Sequence, residues 1–243
     1  MLYFISLGLY DENDMSLKAL NRAKNCDILF LESYTQPNIN KEKLEKLFGK
    51  KIEILSRKQI EESDIIFKQA KEKNVGLLVG GDCFSATTHS ILKKEAEEKG
   101  IKVEVIHGSS IFSAIAECGL HLYKFGKTAS ITFPERTGNE IPKSVFDIIK
   151  QNQSINAHTL LLLDIDIENE KYMNIRQALE ILSNELGENI EVVVCSRLGG
   201  NTSIKFGKIK NLKNLDFGKI PHVIIIPSKL HFTEKECLER YRI

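Results

Sequence analysis

Short apolar segments that alternate with charged segments of helical period constrain this chain more than any other feature. Residues 2–7, 27–31, 52–55, 75–79 and 103–106 are rich in β-branched or aromatic side chains, which suit a pleated surface. Between them, Met15, Leu17, Leu20 and Ala23 share one helical face behind a potential Asp14 cap, and residues 60–70 and 85–98 have the same amphipathic spacing. Strand and helix in turn predict a mostly parallel sheet covered by helices.

The second half restarts the pattern. Strands are expected over 128–133, 159–165, 191–195, 203–209 and 223–226. Asn174 and Gln177 have capping-box spacing ahead of a helix through Leu182, and Pro142 suits the first turn of a helix carrying Val145 and Ile149. Residues 203–217 alternate without helical period and read as an antiparallel addition. The expected architecture is therefore two α/β domains, residues 1–108 with a mostly parallel sheet and residues 109–243 with a mixed sheet. The junction falls in 107–126, where a helix over 111–118 is closed by Gly119, and a ligand cleft is expected between the domains.

Composition removes several alternatives. With 34 basic and 33 acidic residues the net charge is +1, so no global field points to nucleic acid or an acidic membrane surface, and the lysine runs at 41–51 and 205–213 read as solvated faces. Apolar runs such as 160–163 and 223–226 fall far short of the roughly 20 residues that span a bilayer. The first residues lack a basic region or cleavage site and read as a strand. Cys26, Cys83, Cys118, Cys195 and Cys237 form no C-x-x-C pair and stand apart from His at zinc-ligand spacing, so a reduced cytoplasmic setting without structural metal is expected.

Chemistry is expected at strand ends. Leu77-Leu78-Val79-Gly80-Gly81-Asp82 is an apolar strand ending in glycines and an acid, where open α/β sheets bind ligands; the alternative is a plain turn capped by Ser85. His107-Gly108-Ser109-Ser110-Ile111 either cradles a polar ligand group or caps a helix. Leu162-Leu163-Asp164 and Ser196-Arg197-Leu198-Gly199-Gly200 are a third and fourth junction, each equally readable as strand-end solvation or a turn. His89 and His222 are ligand contacts or local structural bonds. No G-x-G-x-x-G, G-x-x-x-x-G-K-[ST] or G-x-S-x-G string is present, which disfavours a dinucleotide fold, a P-loop NTPase and a hydrolase elbow.

Several runs together resemble the diphthine synthases, a branch of the tetrapyrrole methylase family. They are Met1-Leu2-Tyr3-Phe4-Ile5 with Leu7-Gly8-Leu9, Glu32-Ser33-Tyr34-Thr35, Gly81-Asp82 with Ala86-Thr87-Thr88-His89, Cys118-Gly119-Leu120-His121-Leu122-Tyr123-Lys124-Phe125-Gly126-Lys127, and His158-Thr159-Leu160 through Asp164-Ile165. The resemblance spans nearly the whole chain. It implies S-adenosylmethionine as methyl donor, with S-adenosylhomocysteine as product. The donor would be held by Leu9, Asp82, Ser85, Ser110, Ile111, Leu163, Leu198 and His222. It further implies a homodimer and, as protein substrate, translation elongation factor 2, whose aminocarboxypropyl-modified histidine is repeatedly N-methylated. Cys83 stands where the family usually has proline, and Ser6 where it has glycine, departures expected to act on donor affinity rather than fold. The alternatives are a methyltransferase of corrin precursors and a catalytically degenerate ligand-binding protein of the same fold.

Overall fold

The computed structural model describes residues 1–32, 34–35, 39–138, 142–166 and 169–243. Ser33 of the Glu32–Thr35 run lies outside them. The chain divides into two compact units, Met1–Ala114 and Ile115–Ile243.

In the first unit, β1 (Leu2–Ser6), α1 (Leu17–Asn25), β2 (Ile28–Glu32), α2 (Lys41–Phe48), β3 (Glu53–Leu55), α3 (Arg57–Glu62), α4 (Ile65–Ala70), β4 (Val75–Val79), α5 (His89–Glu98), β5 (Val103–Ile106) and α6 (Ile111–Ala114) follow in order. The five strands are parallel in the order β3-β2-β4-β1-β5. Every residue of β1 and β4 is buried, as expected of central strands covered on both faces. Strand periodicity sorts them: Leu2, Phe4, Leu77 and Val79 pack with Ile60, Ile66, Phe67 and Leu92. Tyr3, Ile5 and Leu78 pack on the other face with Ala19, Ala23, Leu44 and Phe48. Each fully buried aliphatic or aromatic side chain contributes about 1.5–3 kcal/mol.

Three helix expectations need correction. Ser16, not Asp14, caps α1 by accepting from the Ala19 amide, because Asp14 Oδ2 already accepts the Tyr10 N–H at 2.6 Å. Leu17 is consequently 77% exposed, and Ala19 and Ala23 are the buried face. The expected helix over 60–70 is two helices, because Ser63 is extended and its hydroxyl donates to the Gln59 carbonyl. The helix expected from Ser85 begins at His89, since the intervening residues form a turn with Ala86 at φ 60°.

The second unit begins with two 3-10 turns, Ile115–Cys118 and Leu122–Lys124, so the helix expected over 111–118 is α6 followed by the first of these. β6 (Ala129–Ile131), α7 (Lys143–Ser154), β7 (Thr159–Leu163), β8 (Ile165–Asp166), β9 (Lys171–Tyr172), α8 (Ile175–Leu186), β10 (Glu191–Ser196), β11 (Ser203–Lys208), α9 (Ile209–Leu212), β12 (His222–Ile226) and α10 (Phe232–Glu239) follow. The sheet order is β11-β10-β12-β7-β6, with β6 and β7 parallel and the other pairs antiparallel. β8 and β9 form a separate two-stranded pair. The Asn174–Gln177 capping box is present in both directions. β11 is the expected antiparallel addition, but the chain after it turns into α9, whose Ile209 and Leu212 are buried in the core.

Asn152 on α7 fastens the start of this unit to its sheet. It is 2% exposed. Its Oδ1 accepts the Lys127 amide at 3.0 Å, and its Nδ2 donates to the Lys127 carbonyl at 2.8 Å and to Thr159 Oγ1 at 2.9 Å. Losing a buried polar hub of this kind costs more than losing a surface cap. Asn152→Ala is therefore expected to destabilise by about 2–3 kcal/mol and Asn174→Ala by about 1 kcal/mol, read as the shift in urea midpoint at unchanged slope.

Candidate functional site

The parallel pairing of β1 with both β4 and β5 brings three carboxyl ends out side by side. The β1–β4 ladder continues beyond the strands. The Leu7 amide donates to the Val79 carbonyl at 2.8 Å, and Gly8 and Gly81 exchange bonds of 3.2 and 2.8 Å. Gly8 has φ +89°, and a Cβ there would stand 2.5 Å from the Asp14 carbonyl oxygen, so only glycine fits this crossing. At Gly108 a Cβ would meet the Ser6 Cβ at 2.8 Å.

Asp82 follows this crossing and is 8% exposed. Its Oδ1 accepts the Phe84 amide at 3.0 Å, and its Oδ2 faces the Gly108 amide at 3.1 Å and His107 Nδ1 at 2.8 Å. Burial opposes the charge, but these three donors outweigh it and hold the carboxyl below its ordinary range. An ionised carboxylate has about four acceptor positions, so Asp82 keeps capacity for a ligand donor.

The turn that carries Asp82 is tied down at Cys83. The Cys83 amide donates to Ser6 Oγ at 3.0 Å, and the Cys83 thiol lies 3.1 Å from the same oxygen. Burial pushes that thiol up to about 12, so it is a neutral packing group. The two residues that depart from the family pattern are thus bonded partners: the amide that proline would lack is satisfied by the hydroxyl that glycine would lack. Ser85 caps no helix; its amide donates to the Asp82 carbonyl at 3.0 Å and it is half-buried. Ser110 is buried at the start of α6, where its amide donates to Ser113 Oγ at 3.2 Å, and Ile111 is the half-buried first helical residue. Leu9, half-buried, follows the Gly8 crossing. Five of the eight expected donor residues therefore lie at this edge of the first unit.

The other three share one edge of the second sheet. Leu163 ends β7, Leu198 follows β10, and His222 opens the antiparallel β12. Ser196 and His222 are direct ladder partners, so their side chains lie on the same face. Both are buried, and Ser196 Oγ and both His222 ring nitrogens lack a hydrogen-bond partner. Burial and the Arg197 guanidinium lower the His222 pKa; the carbonyls of 217–219 push the other way without reaching hydrogen-bond geometry. Unsatisfied buried groups cost about 1–3 kcal/mol each, which a neutral polar ligand edge would recover. Arg197 itself is structural, donating to the Phe217 and Lys219 carbonyls at 2.6 and 2.8 Å. So is Asp164, which accepts from the Phe133 amide at 2.9 Å and Arg136 at 2.8 Å.

Two buried His–Glu pairs were not apparent as pairs in the sequence. His89 Nε2 lies 2.7 Å from Glu32 Oε2, with both side chains essentially inaccessible. His158 Nε2 lies 3.0 Å from Glu234 Oε1. Around Glu234 close Lys124, the His121 amide at 2.8 Å and the His231 amide at 2.7 Å. Residues of the 118–127 run thus close around a buried carboxylate. Burial opposes ionisation of Glu234, but Lys124, the two amides and His158 bring it down to about 2. Among the described residues no group of three or more His, Cys, Asp or Glu could hold a metal, and no helix is long and apolar enough to cross a membrane.

Residues 1–213 match the family model for tetrapyrrole (corrin/porphyrin) methylases. Diphthine synthase of Methanocaldococcus jannaschii is 44% identical over 98% of both chains, and that of Methanococcus maripaludis strain S2 is 42% identical over 98% of both. A crystal structure of diphthine synthase superposes with a TM-score of 0.91 at 40% identity, covering 99% of this chain and 95% of the other.

Because the folded state holds Glu234 below its ordinary value of 4.5, its stabilisation is complete above that pH and is lost as pH falls toward about 2. Glu234→Gln is expected to melt well below wild type at pH 7 and to approach it at pH 2–3, measured by thermal denaturation across that range.

Proposed function

The chain belongs to the tetrapyrrole methylase family, in its diphthine synthase branch, and we propose that it transfers methyl groups from S-adenosylmethionine to a histidine-borne aminocarboxypropyl amine of translation elongation factor 2. The observation that carries the donor assignment is Asp82, an ionised, nearly buried carboxylate with spare acceptor capacity at the carboxyl edge of a parallel sheet. The donor's cationic amino-acid portion suits such a group. Its neutral nucleoside portion suits Ser196 Oγ and the uncharged His222 ring, whose buried heteroatoms lack partners.

We propose Leu9, Asp82, Ser85, Ser110, Ile111, Leu163, Leu198 and His222 as donor-binding residues. When bound, S-adenosylmethionine supplies an electrophilic methyl group on a sulfonium. The protein's part is to hold the acceptor in line with it and exclude water, effects large enough to leave no need for a covalent enzyme intermediate. An α-amino group titrates near 8, so a substantial neutral fraction exists at physiological pH, and no residue is assigned as general base. Repeated transfer requires room for the nitrogen as it grows.

The resemblance also supports a homodimer. Five free cysteines are in keeping with a reducing, cytoplasmic setting.

Asp82→Ala is expected to weaken S-adenosylmethionine binding at least tenfold, on the order of one lost charge-assisted contact, measured by titration calorimetry; wild-type affinity in that variant would reject the assignment. Incubation of wild type with donor and elongation factor 2 bearing the aminocarboxypropyl histidine should add successive methyl increments by intact mass. An unchanged mass with verified acceptor would refute the acceptor.

A further inference from the structure

The Asp82 carboxylate is only as well placed as the peptide that follows it. Ser6 holds the Cys83 amide. The Cys83 carbonyl faces His89 Nδ1 at 3.0 Å and accepts the Thr87 hydroxyl at 2.5 Å. A carbonyl only accepts, so His89 Nδ1 carries a proton. On the other side of the ring, Nε2 faces the Glu32 carboxylate at 2.7 Å and the Tyr34 hydroxyl at 3.3 Å. Glu32 Oε1 in turn accepts from Thr35 Oγ1.

Glu32 Oε2 is thus in ion-pair contact with the outer ring nitrogen but off hydrogen-bond geometry, so that a proton on Nε2 would face a carboxylate at close range. Burial opposes the charge on His89, but the nearby Glu32 carboxylate and the Cys83 carbonyl outweigh it and raise its pKa. His158 makes the opposite case: the Ser228 amide donates to its Nδ1 at 2.9 Å, so that nitrogen is unprotonated and the ring is neutral, with its pKa lowered by burial.

A charged pair is an expensive element in this place. It is buried, and His89 is the first residue of α5, where the helix dipole disfavours a cation. Well-packed apolar residues commonly stabilise as well as or better than a buried ion pair, so stability alone gives little reason for it. Its directional consequence is that two runs remote in sequence, Glu32–Thr35 and Ala86–His89, are tied to the residue after Asp82.

We propose that Glu32 and His89 are positioning residues for methyl-donor binding, acting through the Cys83 carbonyl to fix the Asp82 carboxylate. This rests on Asp82 contacting the donor. Besides Glu32 and Tyr34, the titratable group acting on His89 among the described residues is Glu61 of α3, itself bound to Arg57.

The test is calorimetry with S-adenosylhomocysteine from pH 6 to 9, using Glu32→Gln, His89→Asn, Asp82→Ala and the Glu32→Gln/Asp82→Ala double variant, each checked by thermal melting. Glu32→Gln keeps the shape and an acceptor for Thr35 but removes the charge; His89→Asn keeps a donor for the Cys83 carbonyl and loses Glu32. Each is expected to weaken binding by roughly five- to tenfold at neutral pH, the scale of one perturbed charge-assisted bond, with the acceptor KM unchanged. Because the wild-type His89 pKa is raised, the charged ring is lost as pH rises through it, and Glu32→Gln should move that loss of affinity to lower pH. In the Asp82→Ala background Glu32→Gln should add little, because both act through one carboxylate. Wild-type affinity and pH profile in a folded Glu32→Gln or His89→Asn variant would overturn the positioning role while leaving a weakened Asp82→Ala to uphold the site. Wild-type affinity in Asp82→Ala would remove the site and the positioning role together.

Discussion

The parallel ladder between β1 and β4 is the constraint on which the proposed donor site depends. Five register pairs, from Leu2–Val75 to Ser6–Val79, run directly into the Gly8–Gly81 crossing. That crossing decides where the chain can turn, and hence where Asp82 stands. The core on each face holds the ladder rigid, since alternate residues of β1 are locked against different helices. A shift of one residue would exchange the two faces and would carry Asp82 away from the His107 and Gly108 donors that keep it ionised.

The two units solve a similar electrostatic problem in opposite ways. In the first, a buried histidine faces a carbonyl from one ring nitrogen and a carboxylate from the other, and its pKa is raised; in the second, a backbone amide occupies one nitrogen of His158 and keeps that ring neutral. Glu234 instead draws its balancing charge from Lys124 and its hydrogen bonds from two amides. The same residue pairing therefore takes its protonation state from whether the neighbouring backbone group is a carbonyl or an amide. The Ser6–Cys83 pair shows the same dependence on context: two departures distant in sequence are one hydrogen-bonded contact in the fold.

Strand positions were legible because burial on both faces leaves near-continuous apolar runs, as in Val75–Val79. The Asn174–Gln177 capping box was legible because its signal is local. Gly81–Asp82 and Ser110–Ile111 were placed at strand ends because apolar runs stop there and glycine, acid and hydroxyl residues follow. What failed was also local competition. Asp14 could not cap α1 once Tyr10 had claimed its carboxylate, and Ser63 broke a helix whose apolar spacing ran straight through it. The run at 118–127 carried the resemblance without revealing its structural part, and its bonds close around Glu234 and Asn152.

By itself the sequence determined the α/β class, the strand ends that carry the candidate residues and, through its resemblance, the family, because these rest on periodicity and on runs of adjacent residues. Only the tertiary structure decided which distant side chains meet: Ser6 with Cys83, Glu32 with His89, Ser196 beside His222. Those meetings are set by strand register and by the curvature of turns. Protonation, hydrogen-bond satisfaction and site geometry follow from them, and no pattern along the chain encodes them directly.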